Sequence, residues 1–391
     1  MKAGSRITIF LGVLLIMAGA GIAVLADANL PALPTVTGIF NERDDELKPG
    51  DFVSVVDSER KVIDYLGRSV TAGDEIITPE GKHYRIERVK GKVAEARLLG
   101  VDRDVLAWEE FFNREAVPVS IFGKNRDVGI YHSHSDESYV PTDGKAAIPY
   151  RGGILKVGDN LASQLRANGI RALHDKTPHD PHDAQAYVRS RKTAVRLLRS
   201  NPIALFDVHR DGIPDAEFYR EVIGGDRVGQ VRLVVGRQNP RKSSNLDFAK
   251  RLMTYANRVN PGLVKGIFLG QGNYNQDLLP TSLLLECGTY TLTRPEAERG
   301  VGLLADAVPV VLGTEGPQPQ LPEGARPITE RQPGAWRAFA WILAAMVVGV
   351  GGYLLITAGS WEAARERLRG FWRRELNVLR TRDQQRGDEQ K

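Results

Sequence analysis

From Phe52 to Ile86 the apolar positions come in short runs that alternate with polar ones, and turn residues separate the runs. Phe52-Val53-Ser54-Val55-Val56 follows a Pro49-Gly50 turn. Ile76-Ile77-Thr78 leads into Pro79-Glu80-Gly81, and His83-Tyr84-Arg85-Ile86 then alternates as a half-buried strand does. This texture predicts a small β-rich domain over 37–117, with no evident catalytic residue and with His83 as a surface or packing side chain. From about 118 to 312 the pattern changes. Apolar runs at Val128–Tyr131, Ala204–Val208 and Leu283–Leu285 end in polar turns. Between them lie helical patterns: Leu161–Gly169, closed by a C-cap glycine, then Ala186–Arg199, then Leu246–Val259, stopped by Pro261. Strand and helix in alternation predict an α/β sheet with helices on its faces, where ligands sit at the carboxyl ends of strands.

Two runs have no polar face at all. Ile7 to Leu25 follows Lys2 and Arg6, and Ala338 to Thr357 has Trp336, Trp341, Tyr353 and Trp361 near its two ends. Each is about 20 residues, enough to cross a bilayer core of roughly 30 Å. Arg365, Arg367, Arg369, Arg373, Arg374, Arg380 and Arg382 follow the second run, and the positive-inside rule puts them, with Lys2 and Arg6, in the cytoplasm. The expected order is an anchor or cleaved signal peptide over 1–28, since Ala26-Asp27-Ala28 has the form of a cleavage site. The β-rich domain and the α/β domain (118–312) follow. A Pro-rich linker (313–335), a transmembrane helix (336–359) and a basic tail (360–391) complete it. The middle then faces the exterior. The net charge is +5, with much of the excess at the C-terminal end, so it does not point to nucleic acid. The single cysteine, Cys287, excludes an intramolecular disulfide framework and a multi-cysteine zinc cluster.

The chemistry gathers at three strand ends. Tyr131-His132-Ser133-His134-Ser135-Asp136-Glu137 follows Val128–Ile130 and holds two of the chain's 7 histidines beside two carboxylates. Imidazole and carboxylate where a strand runs out are the usual makings of a catalytic zinc site. Leu205-Phe206-Asp207-Val208-His209-Arg210-Asp211-Gly212 ends a second run in a histidine, which Asp207 or Asp211 can orient. Ser282-Leu283-Leu284-Leu285-Glu286-Cys287-Gly288 leaves a carboxylate at the end of three leucines, a costly place for an unpaired charge. A metal or other cation beside it, or a raised pKa suited to proton transfer, is the preferred reading over a salt bridge to a nearby arginine. Cys287 beside Glu286 could suggest a cysteine hydrolase using His209, but a small buried hydrophobe is the commoner role there. His174, His179 and His182 have a spacing that metal sites also use.

Further segments accompany these in order: Val157-Gly158-Asp159-Asn160-Leu161, His174-Asp175-Lys176-Thr177-Pro178-His179-Asp180, Ala186-Tyr187-Val188-Arg189-Ser190, Val235-Gly236, Asn245 and Tyr274-Asn275-Gln276-Asp277. Together with the three strand ends, over about 126 to 299, they resemble the stage II sporulation protein P family. That family is identified with bacterial peptidoglycan hydrolases of the zinc-dependent N-acetylmuramoyl-L-alanine amidase type.

The resemblance implies an amidase-like sheet with helices on both faces and a Zn2+ ion held by His134, His209 and Glu137, with His132 as the alternative ligand. It gives the proton transfer to Glu286. His132, Asp207, Arg210, Asp211 and His179 are expected behind the ligands or along the substrate cleft, His179 rather than His182 touching the site. The general amidases draw a ligand glutamate from the helix after the first histidine, but none stands near Lys156–Asp159. Their asparagine after Glu-x-Gly is also missing between Thr289 and Thr293. The resemblance further implies possible cleavage of stem-peptide cross-links and septal-wall thinning during engulfment. It implies a transglycosylase partner, stage II sporulation protein D, and no nucleic acid. A single N-terminal anchor is the family's habit, so the second span is a departure. Two other classes remain: a non-catalytic wall-binding scaffold, and a zinc metallopeptidase, whose His-Glu-x-x-His pattern is absent.

Overall fold

A computed structural model of the chain describes residues 46–114 and 127–313, together with Glu362. Both apolar runs at the termini lie outside the described residues. No helix among those described is long and apolar enough to cross a membrane.

Five strands come first: β1 (Val53–Val56), β2 (Val62–Leu66), β3 (Glu75–Ile77), β4 (Lys82–Lys90) and β5 (Val93–Val101). Helix α1 (Arg103–Arg114) follows. After it come β6 (Asp127–Tyr131), α2 (Ile154–Ala167), β7 (Arg171–His174), α3 (Gln185–Leu198) and β8 (Ala204–Asp211). A hairpin of β9 (Arg220–Ile223) and β10 (Asp226–Gly229) leads to β11 (Val231–Gly236), α4 (Lys242–Val259), β12 (Val264–Gly270), β13 (Ser282–Thr289) and α5 (Arg294–Gly313). Helix α2 stops where Gly169 takes a φ of +77°, the left-handed conformation a C-terminal glycine supplies cheaply.

Eleven strands form one sheet in the order β2-β1-β5-β4-β3-β12-β11-β13-β8-β6-β7. At one end of the sheet β13, β8, β6 and β7 run parallel, with β7 at the edge. β8 and β13 are buried along their whole length, as strands covered on both faces must be. Period-2 alternation then sorts their side chains. Phe206, Val208, Leu283, Leu285 and Cys287 enter one large core with Val157 and Leu161 of α2, Phe248 and Leu252 of α4, and Val301 and Leu304 of α5. The residues between them, Leu205, Asp207, His209, Leu284 and Glu286, point to the other face. There Ala194 and Leu197 of α3 pack on Leu205 and Tyr131. Helices therefore lie on both faces.

The β-rich segment, expected as a domain of its own, shares the sheet and a core with the α/β region. β3 pairs antiparallel with β12, setting Ile76 beside Phe268. Val53, Val55, Leu66 and Ile86 form one cluster with Val234, Phe268 and Leu284. Five short strands have too little apolar surface to bury against each other alone, so they close over the second face of the main sheet. The described residues between 46 and 313 belong to one compact unit.

A buried ion pair locks this closure. Arg232 on β11 donates from Nη1 and Nη2 to the Asp64 carboxylate of β2 at 2.5 and 2.8 Å, and from Nε to Tyr219 Oη at 2.9 Å. Tyr219 passes its own hydroxyl proton toward Asp211 Oδ2 at 2.7 Å. Arg232→Met would leave Asp64 charged and unpaired inside the protein. We expect a loss of about 3–5 kcal/mol, read as a fall in Tm of about 6–20 °C for a unit of this size. Arg232→Met with Asp64→Leu should recover most of it; a single variant that melts with the wild type would show that the pair stabilises nothing.

Candidate metal centre and its acid–base neighbour

Three strand ends set the frame of the site. His209, near the end of β8, is paired in register with Glu286 on β13, so both side chains stand side by side on the second face. Beyond Tyr131 the chain turns sharply. Asp207 pins that turn by accepting hydrogen bonds from Ser133 N at 2.8 Å and Ser133 Oγ at 2.5 Å. The turn delivers His134 and then Glu137. Glu137 Oε2 accepts from Arg210 N at 2.8 Å, and the Glu137 carbonyl accepts from Ile154 N at 3.0 Å. Gly152 crosses this stretch so closely that a Cβ there would lie 2.2 Å from Glu137 O, so only glycine fits.

A fourth group arrives from outside the α/β region. Glu46, whose backbone bridges Arg68 just beyond β2, extends its carboxylate between the two histidines. Its Oε1 lies 2.8 Å from His134 Nδ1 and 3.2 Å from His209 Nδ1. Glu137 Oε1 lies 3.4 Å from His209 Nδ1 and 3.9 Å from His134 Nδ1. One ligand atom from each of Glu46, His134, Glu137 and His209 falls within 4.8 Å of the others. Ligands about 2.0–2.1 Å from a tetrahedral zinc ion stand about 3.3–3.4 Å apart, so the spacing suits such an ion. The unmet bonding capacity suits it too. Glu137 Oε1 and His209 Nδ1 are buried with no hydrogen-bond partner among the described residues, a costly state that a bound cation removes.

The electrostatics follow from two imidazoles enclosed with carboxylates. Burial opposes charge on Glu46, but the charge of His134, hydrogen bonds with His134 and His182 and the close approach of His209 hold its carboxyl well below the usual range. Burial likewise opposes charge on His209, yet Asp207 and Glu137 lift its imidazole well above the ordinary value. His209 Nε2 faces Asp207 Oδ1 at 2.9 Å, an ion-pair distance whose alignment falls short of a hydrogen bond. Asp207 thereby orients the ring from behind and leaves Nδ1 toward the centre.

Glu286 has the opposite bias. Burial pushes its carboxyl up to about 8, against the pull of Arg68. Arg68 Nη2 donates to Glu286 Oε1 at 2.5 Å and lies 3.8 Å from Glu46 Oε1. The salt bridge to an arginine, the less favoured expectation for Glu286, is present, and it coexists with the raised carboxyl. Glu286 Oε2 has no hydrogen-bond partner among the described residues.

The other singled-out residues fall into place around this centre. His132 stands outside the ligand group: Nδ1 meets Val208 O at 2.8 Å and Nε2 meets His174 Nε2 at 2.8 Å, while burial drives its pKa down to about 3. Arg210 backs Glu137, with Nη1 3.6 Å from Oε1. Asp211 turns away to the Gly67 and Gly212 amides and Tyr219. The histidine loop reverses the expected order. His179 is tied to His132 O and Thr193 Oγ1, away from the centre. His182 instead stacks on the His134 ring at 3.9 Å and bonds Glu46 Oε2 at 3.1 Å and Asp136 Oδ1 at 2.9 Å. Burial acts against its charge, but those carboxylates raise it to about 11. Tyr187 of α3 walls the site, its ring 5.2 Å from that of His134. Cys287 lies on the helix side of β13, opposite Glu286, where burial raises its thiol pKa; it faces away from His209.

The profile of a family described as Stage II sporulation protein P matches residues 72–309. The Bacillus subtilis (strain 168) protein named Stage II sporulation protein P is 30% identical over 208 residues, 48% of this chain and 52% of that protein. The chain thus spans about half the length of this curated relative. Among solved structures, the crystal structure of N-acetylmuramoyl-L-alanine amidase from Clostridium difficile 630 aligns with 49% of this chain and 95% of that one, at 16% identity and a TM-score of 0.29. A score that low carries no weight for function.

Proposed function

The chain belongs to the stage II sporulation protein P family, and from that membership we propose that it is a zinc-dependent N-acetylmuramoyl-L-alanine amidase acting on peptidoglycan. The observation that carries this reading is the convergence of His134, His209, Glu137 and Glu46 on one point, with the buried Glu286 carboxylate beside it. His134 and His209 supply nitrogen donors, and Glu137 supplies an oxygen. A zinc ion held there would supply Lewis-acid activation of water and of the scissile carbonyl.

The rest is the work of the chain. Asp207 holds the His209 ring, and the Arg210 amide and guanidinium hold Glu137. Glu286 takes the proton of the attacking water and returns it to the amine of L-alanine as the amide to the lactyl group breaks. Its raised affinity for a proton, set by burial, suits a group that must gain and then give one. Arg68 steadies the carboxylate in its charged form.

Hydropathy at the termini and family resemblance extend the proposal to the biology. The enzyme is held in the cell membrane by its apolar terminal runs, with the catalytic unit outside and the basic tail inside. It thins septal wall during engulfment in spore formation beside the stage II sporulation protein D transglycosylase, with possible cleavage of stem-peptide cross-links.

The test is digestion of purified peptidoglycan by the full-length chain in detergent. Free lactyl ends with intact stem peptides are expected. Dialysis against a chelator should stop the reaction, and stoichiometric zinc should restore it. Product formation unaffected by the chelator would sink the zinc reading, and fragments cut only within stems would sink the amidase reading.

A further inference from the structure

Two buried tyrosines show how this protein treats a phenol. Tyr139 Oη donates to Cys287 O at 2.8 Å, and Tyr219 Oη donates to Asp211 Oδ2 at 2.7 Å. Tyr187 is different. It is 1% exposed, yet its Oη has no hydrogen-bond partner among the described residues. A buried donor left unpaired costs about 1–3 kcal/mol. Phenylalanine would fill the same wall without that cost. An orphaned donor in a packed interior needs a reason, and a place beside a reaction centre is one.

Tyr187 has that place. It stands in the first turn of α3, its ring 5.2 Å from that of His134 and 6.2 Å from that of His209. The ring also meets that of Tyr274 at 5.4 Å, and Arg68, which holds Glu286, lies 5.7 Å over the Tyr274 ring. Both histidines of the centre and the ring beneath the base's arginine therefore surround the phenol. This turn of α3 is fixed in place. Asn275 Nδ2 donates to Tyr187 O at 2.9 Å and to Ser190 Oγ at 3.2 Å. Ser190 Oγ lies 2.8 Å from Ser133 Oγ, in the turn that carries His134. Tyr274 and Asn275 take left-handed φ angles of +51° and +56°, strain that persists where the surroundings over-determine the chain. Burial, and then the Glu46 charge, raises the Tyr187 pKa well above that of a free phenol, so the hydroxyl keeps its proton.

We propose that Tyr187 is a further catalytic residue, whose Oη donates a hydrogen bond to the substrate's amide oxygen as that oxygen gains negative charge. When the oxygen of water bonds to the amide carbon, one electron pair of the C=O bond moves onto the amide oxygen, and Glu286 takes a proton of the water. When the pair returns, the C–N bond breaks and Glu286 passes its proton to the departing nitrogen. The carboxyl group so formed loses its remaining proton to solvent. The amide oxygen carries full charge only between these two steps. A donor that is orphaned in the resting protein and finds its acceptor there favours the transition state over the ground state. The proposal rests on the amidase reading and adds the group that meets the developing charge.

Tyr187→Phe is the test, because it removes the oxygen and keeps the ring. With the full-length chain in detergent and soluble peptidoglycan fragments, kcat for lactyl-end release should fall about 10²–10³-fold, the usual effect of losing one such donor. KM, zinc content and Tm should match the wild type, since deleting an unpaired buried hydroxyl does not weaken the fold. A muramoyl dipeptide carrying a phosphinate, a tetrahedral anion, in place of the scissile amide gives a reading without turnover. By calorimetry it should bind the variant more weakly by the same factor as kcat falls. A variant as fast as the wild type, or one that binds the phosphinate as tightly, would overturn the proposal. A fall in Tm or zinc content that accounts for the lost rate would make the hydroxyl structural and overturn it too. Absence of lactyl-end release by the wild type would remove the amidase reading and the proposal with it, which is a different result from either of those.

Discussion

His209→Ala is expected to empty the centre of metal and bring peptidoglycan hydrolysis to background. His209 Nδ1 is the donor that stands within reach of both carboxylates, 3.2 Å from Glu46 and 3.4 Å from Glu137. Without it, two buried carboxylates face each other with one imidazole between them. Enzymes of this kind owe about 10⁶-fold or more of their rate to the assembled site, so removing a ligand removes nearly all of it. Asp207→Asn provides the graded comparison. It keeps the ligand but weakens the group that orients it, and such changes cost about 10–100-fold in metal affinity or activity. Metal content after gel filtration, with the initial rate of lactyl-end release, decides the matter. Stoichiometric zinc and substantial turnover in His209→Ala would show that the donors were misassigned.

Glu286→Gln should leave the metal in place and lower kcat by about 10²–10⁴-fold, the usual contribution of a positioned proton acceptor. The amide is nearly the shape of the acid and can still accept from Arg68, but it cannot take a proton. The pH profile carries the diagnostic sign. A base works deprotonated, and burial raises the Glu286 carboxyl to about 8, so wild-type activity should climb with pH along a limb displaced upward from ordinary glutamate. A cation bound beside it pulls that limb back toward lower pH. The variant's residual activity should lack the limb. A Glu286→Gln enzyme within tenfold of wild type, with the limb intact, would place the base elsewhere.

The three strand ends were legible in the sequence because burial and period-2 alternation act locally. An apolar run that stops at a histidine or a glutamate announces both the strand and the side chain at its mouth, as Ala204–His209 and Ser282–Glu286 show. What stayed hidden depended on distant chain. Glu46 closes the charged run Asn41–Glu46, and such a run reads as a solvated surface. Nothing local tells that its last carboxylate swings into a cage 88 residues away in sequence, at His134. Arg68 comes just after the apolar end of β2, much as Glu286 comes just after the leucine run within β13, and that parallel was the one available signal. The union of the β-rich segment with the main sheet hangs on the β3–β12 pairing, a contact between far-separated stretches that no periodicity encodes. The order of His179 and His182 was set by the path of their loop, and spacing alone does not give a path. The terminal runs, read from hydropathy, lie outside the described residues.

Cys287 faces the helix-side core, fully buried, with its thiol held in the unreactive protonated form by burial. It is also the chain's sole sulfhydryl. The folded molecule therefore offers maleimides no accessible thiol. A reporter cysteine placed at an exposed position such as Lys48 would be the one reactive handle on the native protein. A fluorophore or spin label there would report on the surface two residues from Glu46, with no need to rebuild the background first.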